Sequence, residues 1–170
     1  MSKQKRKRKF QVSLRFFFIF TVVVALILVL PVQRSLIQKR GRVWVDSQNG
    51  HVTFAHKYDA VAEQYNHDLE LPAPGWLVGI LGIDIFDSVD AVVLDNKVVV
   101  DLSPLTDFRK LRSLGIMIEI DEQLDFSPLA ELKNLECLHL AYTGISAERL
   151  IELQELLPWV KVTADIDPVR

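Results

Sequence analysis

The chain has 170 residues, of which 49% are hydrophobic, and its 20 basic side chains nearly balance 22 acidic ones, as in one globular domain of ordinary size. The balance is uneven along the chain, because the first 42 residues hold eleven basic side chains and no acidic one, and the other 128 hold nine basic and all 22 acidic ones. An acidic surface repels phosphate, which excludes a nucleic-acid-binding globular domain, and the asymmetry indicates two different environments.

Residues 16–32 form an apolar run whose only hydroxyl belongs to Thr21. As a helix the run spans roughly 26 Å, and Arg15 and Arg34 at its ends can reach the headgroups of a bilayer whose hydrocarbon core is about 30 Å thick. These basic flanks disfavour a buried core helix. A cleaved signal peptide is disfavoured because the run ends without an A-x-A-like site. The sequence therefore favours an uncleaved transmembrane helix over 16–32.

The basic residues around this run predict its orientation. Seven precede it and four follow it, so the positive-inside rule places residues 1–15 in the cytoplasm as a basic tail that contacts anionic lipid. The acidic part of the chain then lies on the periplasmic or extracellular side. The predicted localisation is that of a single-pass membrane protein, with membrane lipid as a partner through residues 16–32.

Residues 33–86 are predicted to hold a juxtamembrane helix and a cover for the amino-terminal end of the following domain. Helical spacing is kept by four apolar residues, Leu36, Ile37, Val43 and Trp44. This spacing favours a helix that runs toward Ser47 and ends at Asn49-Gly50, with Gly50 in the left-handed conformation. The alternative is a hairpin, with strands at 43–45 and 51–54 around the Asn49-Gly50 turn.

An internal repeat decides the predicted fold. The stretch DLSPLTDFRKLRSL at 101–114 recurs 24 residues later as DFSPLAELKNLECL at 125–138. Residues 135–145 then read L-x-x-L-x-L-x-x-T-x-I, which is the leucine-rich-repeat pattern with Thr143 in place of the usual Asn or Cys. Each L-x-L is expected to be a short strand that directs its two apolar residues inward and the residue between them outward.

Four such strands are predicted in residues 87–170. Their inward pairs are Val92/Leu94, Leu114/Ile116, Leu138/Leu140 and Val160/Val162, spaced by 22, 24 and 22 residues. The predicted fold class is α/β, a short leucine-rich-repeat solenoid of about four parallel strands with a carboxyl-terminal cap and one transmembrane helix. Residues 51–86, including Trp76 and Phe86, are the expected amino-terminal cover.

Segments outside the repeats add a family resemblance. They are Pro74-Gly75-Trp76-Leu77, Leu81-Gly82-Ile83-Asp84, Phe86 and Leu157-Pro158-Trp159-Val160-Lys161-Val162. With the repeats, they resemble a family of short, mostly uncharacterised bacterial leucine-rich-repeat proteins that carry one amino-terminal membrane helix, over roughly residues 33–163. Lys97 and Glu119 depart from the pattern at the positions equivalent to Thr143. The resemblance implies the fold and a protein-binding scaffold, but no particular partner.

The sequence carries no recognisable catalytic or cofactor motif. None of the histidines His51, His56, His67 and His139 has H-x-x-x-H or H-E-x-x-H spacing, and there is no P-loop, G-x-S-x-G or G-x-G-x-x-G motif. Cys137, the only cysteine, excludes an intramolecular disulfide. Although Cys137 and His139 share a strand face, nothing supplies an oxyanion hole for a protease. We therefore predict no enzymatic activity and no cofactor.

The sequence offers two weak arrangements for a metal. His51 and His56 with Asp59 can be read as ligands, but polar residues on a surface strand and loop are the favoured interpretation. The second arrangement is an acidic series, Asp84, Asp87, Asp90, Asp95 and Asp101. It lacks the D-x-D-x-D-G loop of a calcium site. We predict that it is a solvated face and that no metal is bound.

The outward, concave face of the repeat strands is the predicted partner-binding surface. Its candidate residues are Val93, Asp95, Ser113, Met117, Cys137, His139, Trp159 and Lys161. Small and apolar side chains on an exposed sheet favour a partner or self-association over bare solvent, and the alternative is that the amino-terminal cover packs over them. The predicted function is a membrane-anchored, non-catalytic scaffold for an unidentified protein. The alternative is a self-associating structural membrane protein that organises the envelope.

Overall fold

A computed structural model describes residues 14–59, 64–66, 68–71, 73–95 and 99–165. The chain divides into two units, Met1–Gln33 and Arg34–Arg170. Its helices and strands are α1 Leu14–Ser47, β1 His51–Phe54, β2 Tyr58–Asp59, β3 Gln64–Tyr65, α2 Gly75–Leu81, β4 Val89–Leu94, β5 Ser113–Ile116, β6 Cys137–Leu140, α3 Ala147–Leu156 and β7 Lys161–Ala164. Short 3-10 helices lie at Ala55–Lys57, Ile83–Ile85, Ser103–Asp107 and Ser127–Glu131.

The described residues of the first unit form the amino-terminal part of α1. The phenylalanines between positions 16 and 20 of this helix are exposed. Among the described residues, no helix combines the length and the apolar character needed to cross a membrane. The run 16–32 is shorter as a helix than a hydrocarbon core of about 30 Å, and α1 continues from it into Arg34, Lys39 and Arg40. The predicted transmembrane helix is therefore wrong, as is the single-pass localisation that depends on it.

The second unit contains one five-stranded sheet in the order β1-β4-β5-β6-β7. Strands β4 to β7 are parallel, with Val92, Leu114, Leu138 and Val162 aligned across them, and β1 pairs with β4 in the antiparallel sense. Strands β2 and β3 form a separate antiparallel pair. Three of the four parallel strands have the inward pairs that the repeat pattern predicts.

The core lies on the inner face of this sheet. Leu114, Ile116, Leu138 and Leu140 are fully buried and belong to one cluster of apolar side chains from the strands and from the segments that connect them. Burial of each such side chain stabilises the fold by about 1.5–3 kcal/mol. The sequence places these residues two apart, and this alternation directs both members of each pair inward.

The predicted solenoid is wrong, because the fold is a mixed α/β structure with a mostly parallel five-stranded sheet. A solenoid stacks equivalent units, but β1 comes from outside the repeat and pairs antiparallel at one edge. The connections also differ, since 3-10 helices at Ser103–Asp107 and Ser127–Glu131 follow β4 and β5, while the α-helix α3 follows β6. The Ser-Pro-Leu motif that begins both 3-10 helices is missing from the third connection.

The last strand lies two residues later than the repeat spacing predicts. In β7, Val162 aligns with Leu138 and Ala164 with Leu140, so the inward pair is Val162/Ala164. Val160 is buried but precedes the strand, and its N–H donates to the Leu157 carbonyl oxygen within a turn (3.1 Å). The turn after α3 thus takes up Val160, which the repeat pattern had assigned to the strand.

The junction between α1 and β1 is helix followed by strand, so the hairpin alternative over 43–54 is wrong. The helix ends at Ser47, and the positive φ of 54° belongs to Asn49 instead of Gly50. Gly50 is needed for a different reason: a Cβ there would lie 2.7 Å from the Val93 carbonyl oxygen. The close approach of the Gly50 backbone to β4 therefore admits only glycine without a shift of the chain.

Candidate functional site

The residues predicted to bind a partner come together on the side of the sheet that faces away from the core, which we call the outward face. One row across it contains Ala91, Ser113, Cys137 and Lys161, and the next contains Val93, Gly115, His139 and Thr163. Five of the eight predicted residues lie in these rows. Asp95 and Met117 directly follow β4 and β5, and Trp159 precedes β7 by two residues.

Polar contacts on the outward face join neighbouring strands. His139 Nδ1 and Thr163 Oγ1 are 2.9 Å apart and share a hydrogen bond whose direction depends on the imidazole tautomer. The Thr163 hydroxyl also lies 3.4 Å from the Leu138 carbonyl oxygen, to which it can donate. Cys137 and Lys161 are exposed side by side in the adjacent row. The face thus has a polar pair on its last two strands, with an exposed thiol and amine in the adjacent row.

Larger side chains stand at the rim of the outward face. Met117 is 39% exposed and Trp159 is 44% exposed. The Lys133 ammonium lies 4.8 Å from the centroid of the Trp159 ring, within the range of a cation–π contact. This contact holds the indole at one end of the sheet while leaving much of its surface available.

Strand β1 adds residues to this face that the sequence reasoning did not include. Thr53 lies opposite Ala91 and His51 lies opposite Val93, so each row gains a fifth strand. Alternating side chains in 51–54 are a sign of a strand, but a local pattern does not reveal which strand it pairs with. The predicted cover therefore extends the face sideways through β1. Trp76, which was expected within that cover, is 70% exposed.

A polar network that the sequence did not predict lies between the end of α1 and the segment before β4. Asp84 is buried and pairs with Arg42 (2.9 Å), and Gln38 Nε2 donates to another oxygen of Asp84 (3.1 Å). His56 pairs with Asp87 through its ring nitrogen, and its backbone N–H also donates to Asp87 Oδ2 (3.1 Å). The solvated face predicted for this acidic series is therefore wrong at these two positions.

Asp90 is the centre of a second buried network. Arg112 forms a two-pronged ion pair with it (2.6 and 2.8 Å), the Tyr65 hydroxyl donates to Asp90 Oδ2 (2.7 Å), and the guanidinium carbon lies 4.2 Å from the Tyr58 ring centroid. Burial, followed by the bond to Asp90, raises the pKa of Tyr65. The same carboxylate raises the pKa of Arg112, mainly through its hydrogen bond. Each charge in this network is paired, which suits a structural role.

The described residues contain no cluster of three or more His, Cys, Asp or Glu side chains that could hold a metal ion. Of the residues weighed as ligands, His56 instead pairs with Asp87. Asp95 and Asp101 are exposed, and Asp101 accepts from the Ser103 backbone N–H (2.8 Å) at the start of a 3-10 helix. The acidic series is thus divided between ion pairs and local turns.

A small groove of about 170 Å³ lies between α3 and the 3-10 helix Ser127–Glu131. Pockets for drug-sized ligands usually occupy several hundred Å³. Arg149 in the groove donates to the Leu124 carbonyl oxygen (2.6 Å) and lies over the Phe126 ring. Hydrogen bonds from Ser127 lower the pKa of Asp125. Arg149 and Asp125 in this groove therefore already have partners within the chain.

Comparison with known proteins identifies no relative of this chain. No protein-family model, curated protein or solved structure matches the chain. The resemblance to short bacterial leucine-rich-repeat proteins stays a prediction from the motifs quoted above. The geometry and chemistry of the outward face are therefore the basis for a proposed function.

Proposed function

We propose that the chain is a protein-binding module that uses the outward face of its sheet and carries out no reaction there. The observation that carries the proposal is the contrast between the two faces of the same strands. Leu114 and Leu138 are fully buried on the inner face, whereas Cys137 and Lys161, one position away from inner-face residues, are exposed. A well-packed sheet offers a rigid platform that loses little conformational freedom when a partner binds.

The composition of the outward face suits a protein partner. Its middle carries small side chains, of which Ala91 and Gly115 are buried and Ser113 is half-buried, so it is low and flat between the exposed residues on either side. Met117 and Trp159 at the rim belong to the residue types that are enriched in protein interfaces. Asp95 and Lys161 supply charges of both signs for orienting the partner.

The contact that His139 makes favours a structural role for its imidazole. The ring nitrogen Nδ1 of His139 is engaged by Thr163 on the neighbouring strand, and this bond joins two strands of the platform. We assign His139 and Thr163 to holding the shape of the face.

Site-specific photocross-linking tests the proposal. A benzophenone amino acid replaces Ser113 or Met117 on the outward face, and replaces the exposed Gln154 on α3 as the matched control. The full chain is irradiated in the cells that naturally produce it. We expect Ser113 and Met117 to give one common adduct with a different protein, and Gln154 to give none of it. Efficient activation with no adduct from either face position, or equal yields from Gln154, would contradict the proposal.

A second candidate function, self-association, is favoured by a separate observation. Strand β7 ends the sheet, and among the described residues no strand pairs with its outer edge. Open sheet edges are surfaces onto which other strands add. Pairing at this edge leaves the outward face of each copy uncovered, so it would give no adduct of twice the chain mass from Ser113 or Met117, and this candidate is tested at β7 itself.

A further inference from the structure

Among the described residues, no strand pairs with the outer edge of β7. The N–H groups of Lys161 and Asp165 donate to carbonyl oxygens of Glu136 and Leu140 on the β6 side (2.8 and 2.9 Å). In a strand, backbone groups of alternate residues point to opposite sides. Val162 and Ala164 therefore direct their N–H and C=O groups toward the outer edge, where the described part of the chain supplies no strand.

The sequence of this strand is self-complementary when two copies run antiparallel. If Thr163 of one copy faces Thr163 of the other, Val162 lies opposite Ala164, and these two residues exchange backbone hydrogen bonds. Lys161 then lies opposite Asp165 of the second copy, and the two-fold symmetry repeats this pair on the other side of the centre. Both charged residues are exposed in the single chain. Opposite charges and threonine pairs directly across an antiparallel ladder stabilise it.

We infer that two copies of this chain associate through antiparallel pairing of β7 centred on Thr163, which joins their sheets into one. Edge strands usually carry features that discourage such pairing, including exposed lysine. Here the lysine at one end of β7 is matched by an aspartate four residues later, so the edge repels other registers and accepts its own antiparallel copy. Pairing through β7 rests on the second candidate function, self-association, and is independent of the proposed role of the outward face.

Charge exchange tests the pairing on the full chain. Lys161→Glu places like charges opposite each other twice in the dimer, and Asp165→Lys does the same with the opposite sign. We expect either substitution to raise the dissociation constant measured by analytical ultracentrifugation roughly tenfold or more. The double variant Lys161→Glu with Asp165→Lys restores both pairs with exchanged signs and should return the dissociation constant close to that of the unchanged chain.

Disulfide formation supplies a readout of register, in a background where Cys137→Ser removes the natural thiol. Thr163→Cys places two thiols across the two-fold axis at a Cα separation of about 4.5 Å, which a disulfide can span. Lys161→Cys is the matched control, because its two copies lie ~13 Å apart along the strands and cannot be joined. We expect a covalent dimer from Thr163→Cys alone under mild oxidation.

Three outcomes would overturn the inference. The first is a chain that stays monomeric at all concentrations tested. The second is a dimer whose dissociation constant is unchanged by the single charge reversals or not restored by the double variant. The third is equal covalent dimerisation through positions 163 and 161. A monomer that still gives a hetero-adduct from Ser113 would sink this inference while leaving the proposed function of the outward face intact.

Discussion

At the scale of single residues, acidic side chains of the carboxyl-terminal part are used inside the fold. Asp90 is 3% exposed, and Arg112 and the Tyr65 hydroxyl together satisfy both of its oxygens. Removal of one partner from a buried ion pair typically costs about 3–5 kcal/mol, since the other charge stays desolvated. Asp90 therefore acts as a structural residue that ties β4 to β5 and to β3.

Tyr65 provides a pH prediction within this network. Its pKa in the folded protein is raised above the ordinary value of about 10, because burial and Asp90 both disfavour the phenolate. A group with a raised folded pKa contributes stability that is fully present below its unfolded pKa and is lost as the pH rises through the folded value. We expect the free energy of unfolding to fall as the pH rises above about 10, and Tyr65→Phe to remove that part of the decline.

Two measurements check this expectation. Denaturant unfolding at a series of alkaline pH values gives the decline in stability, and the ultraviolet absorbance of phenolate follows tyrosine ionisation directly. Tyr65→Phe should abolish the latest-titrating component of that absorbance, whereas Tyr142→Phe, at an exposed tyrosine, should leave it in place. Loss of the late component in Tyr142→Phe instead would contradict the assignment to Tyr65.

Thr143 shows what the repeat pattern leaves unspecified. The sequence places it where the repeats usually carry Asn or Cys. In the structure its side chain is 1% exposed, and its hydroxyl has no hydrogen-bond partner among the described residues. The repeat motif therefore predicts the strand beside Thr143 correctly but does not specify the polar contacts of the turn that follows.

At the scale of elements, α1 packs at Gly41 against the connection between β4 and β5. A Cβ at this position would lie 2.9 Å from Phe108 Cζ, and Phe108 is almost fully buried. Gly41→Ala gains up to about 1 kcal/mol of helix propensity. Overpacking against a buried ring typically costs about 1–3 kcal/mol, so we expect a net loss of about 1 kcal/mol. Urea unfolding with the midpoint and slope both fitted measures it.

Gly79 is the matched control, because it also lies in a helix but a Cβ there would meet nothing within 4 Å. Gly79→Ala should leave the unfolding midpoint unchanged or raise it, by the same helix propensity. If both alanine variants were stabilising, the close packing of α1 against Phe108 would be contradicted. The pair separates the intrinsic preference of a helix from the space available beside it.

The elements also show how far the sequence could predict the fold. The positions Leu114, Leu138 and their neighbours were predictable because inward residues alternate with outward ones and the motif repeats. The pairing of β1 with β4 was not predictable, since it joins residues about 40 apart and depends on the chain turning at Asn49. Five of the eight predicted face residues lie within the paired rows for the same reason that the strands were found. The buried acidic networks were missed because their basic partners lie in other elements.

At the scale of the whole molecule, some charges of the basic segment form ion pairs with charges of the acidic part of the chain. Arg40 and Arg42 belong to the basic segment, and they pair with Asp107 and Asp84 of the acidic part at 2.7 and 2.9 Å. The sequence analysis interpreted the two charge blocks as occupying opposite sides of a membrane. These two arginines instead lie within the unit Arg34–Arg170 that contains the sheet. The Arg40 side chain is exposed, so its pair contributes little to stability, whereas Arg42 is only partly exposed and its carboxylate partner is buried.

The outward face gives the molecule its proposed role, and Cys137 is a natural reporter of it. It is the only cysteine in the chain and is exposed on β6, within one row of the face. The most direct measurement is the rate at which a thiol reagent labels Cys137 in fresh extract of the producing cells, compared with the rate in the purified full chain. A variant that combines Cys137→Ser with Gln154→Cys reports on α3 as the control.

We predict that labelling of Cys137 is slowed at least severalfold in extract, while the thiol introduced on α3 in the control variant reacts equally in both settings. Equal labelling rates of Cys137 in extract and in the purified protein would contradict the claim that this face binds another protein.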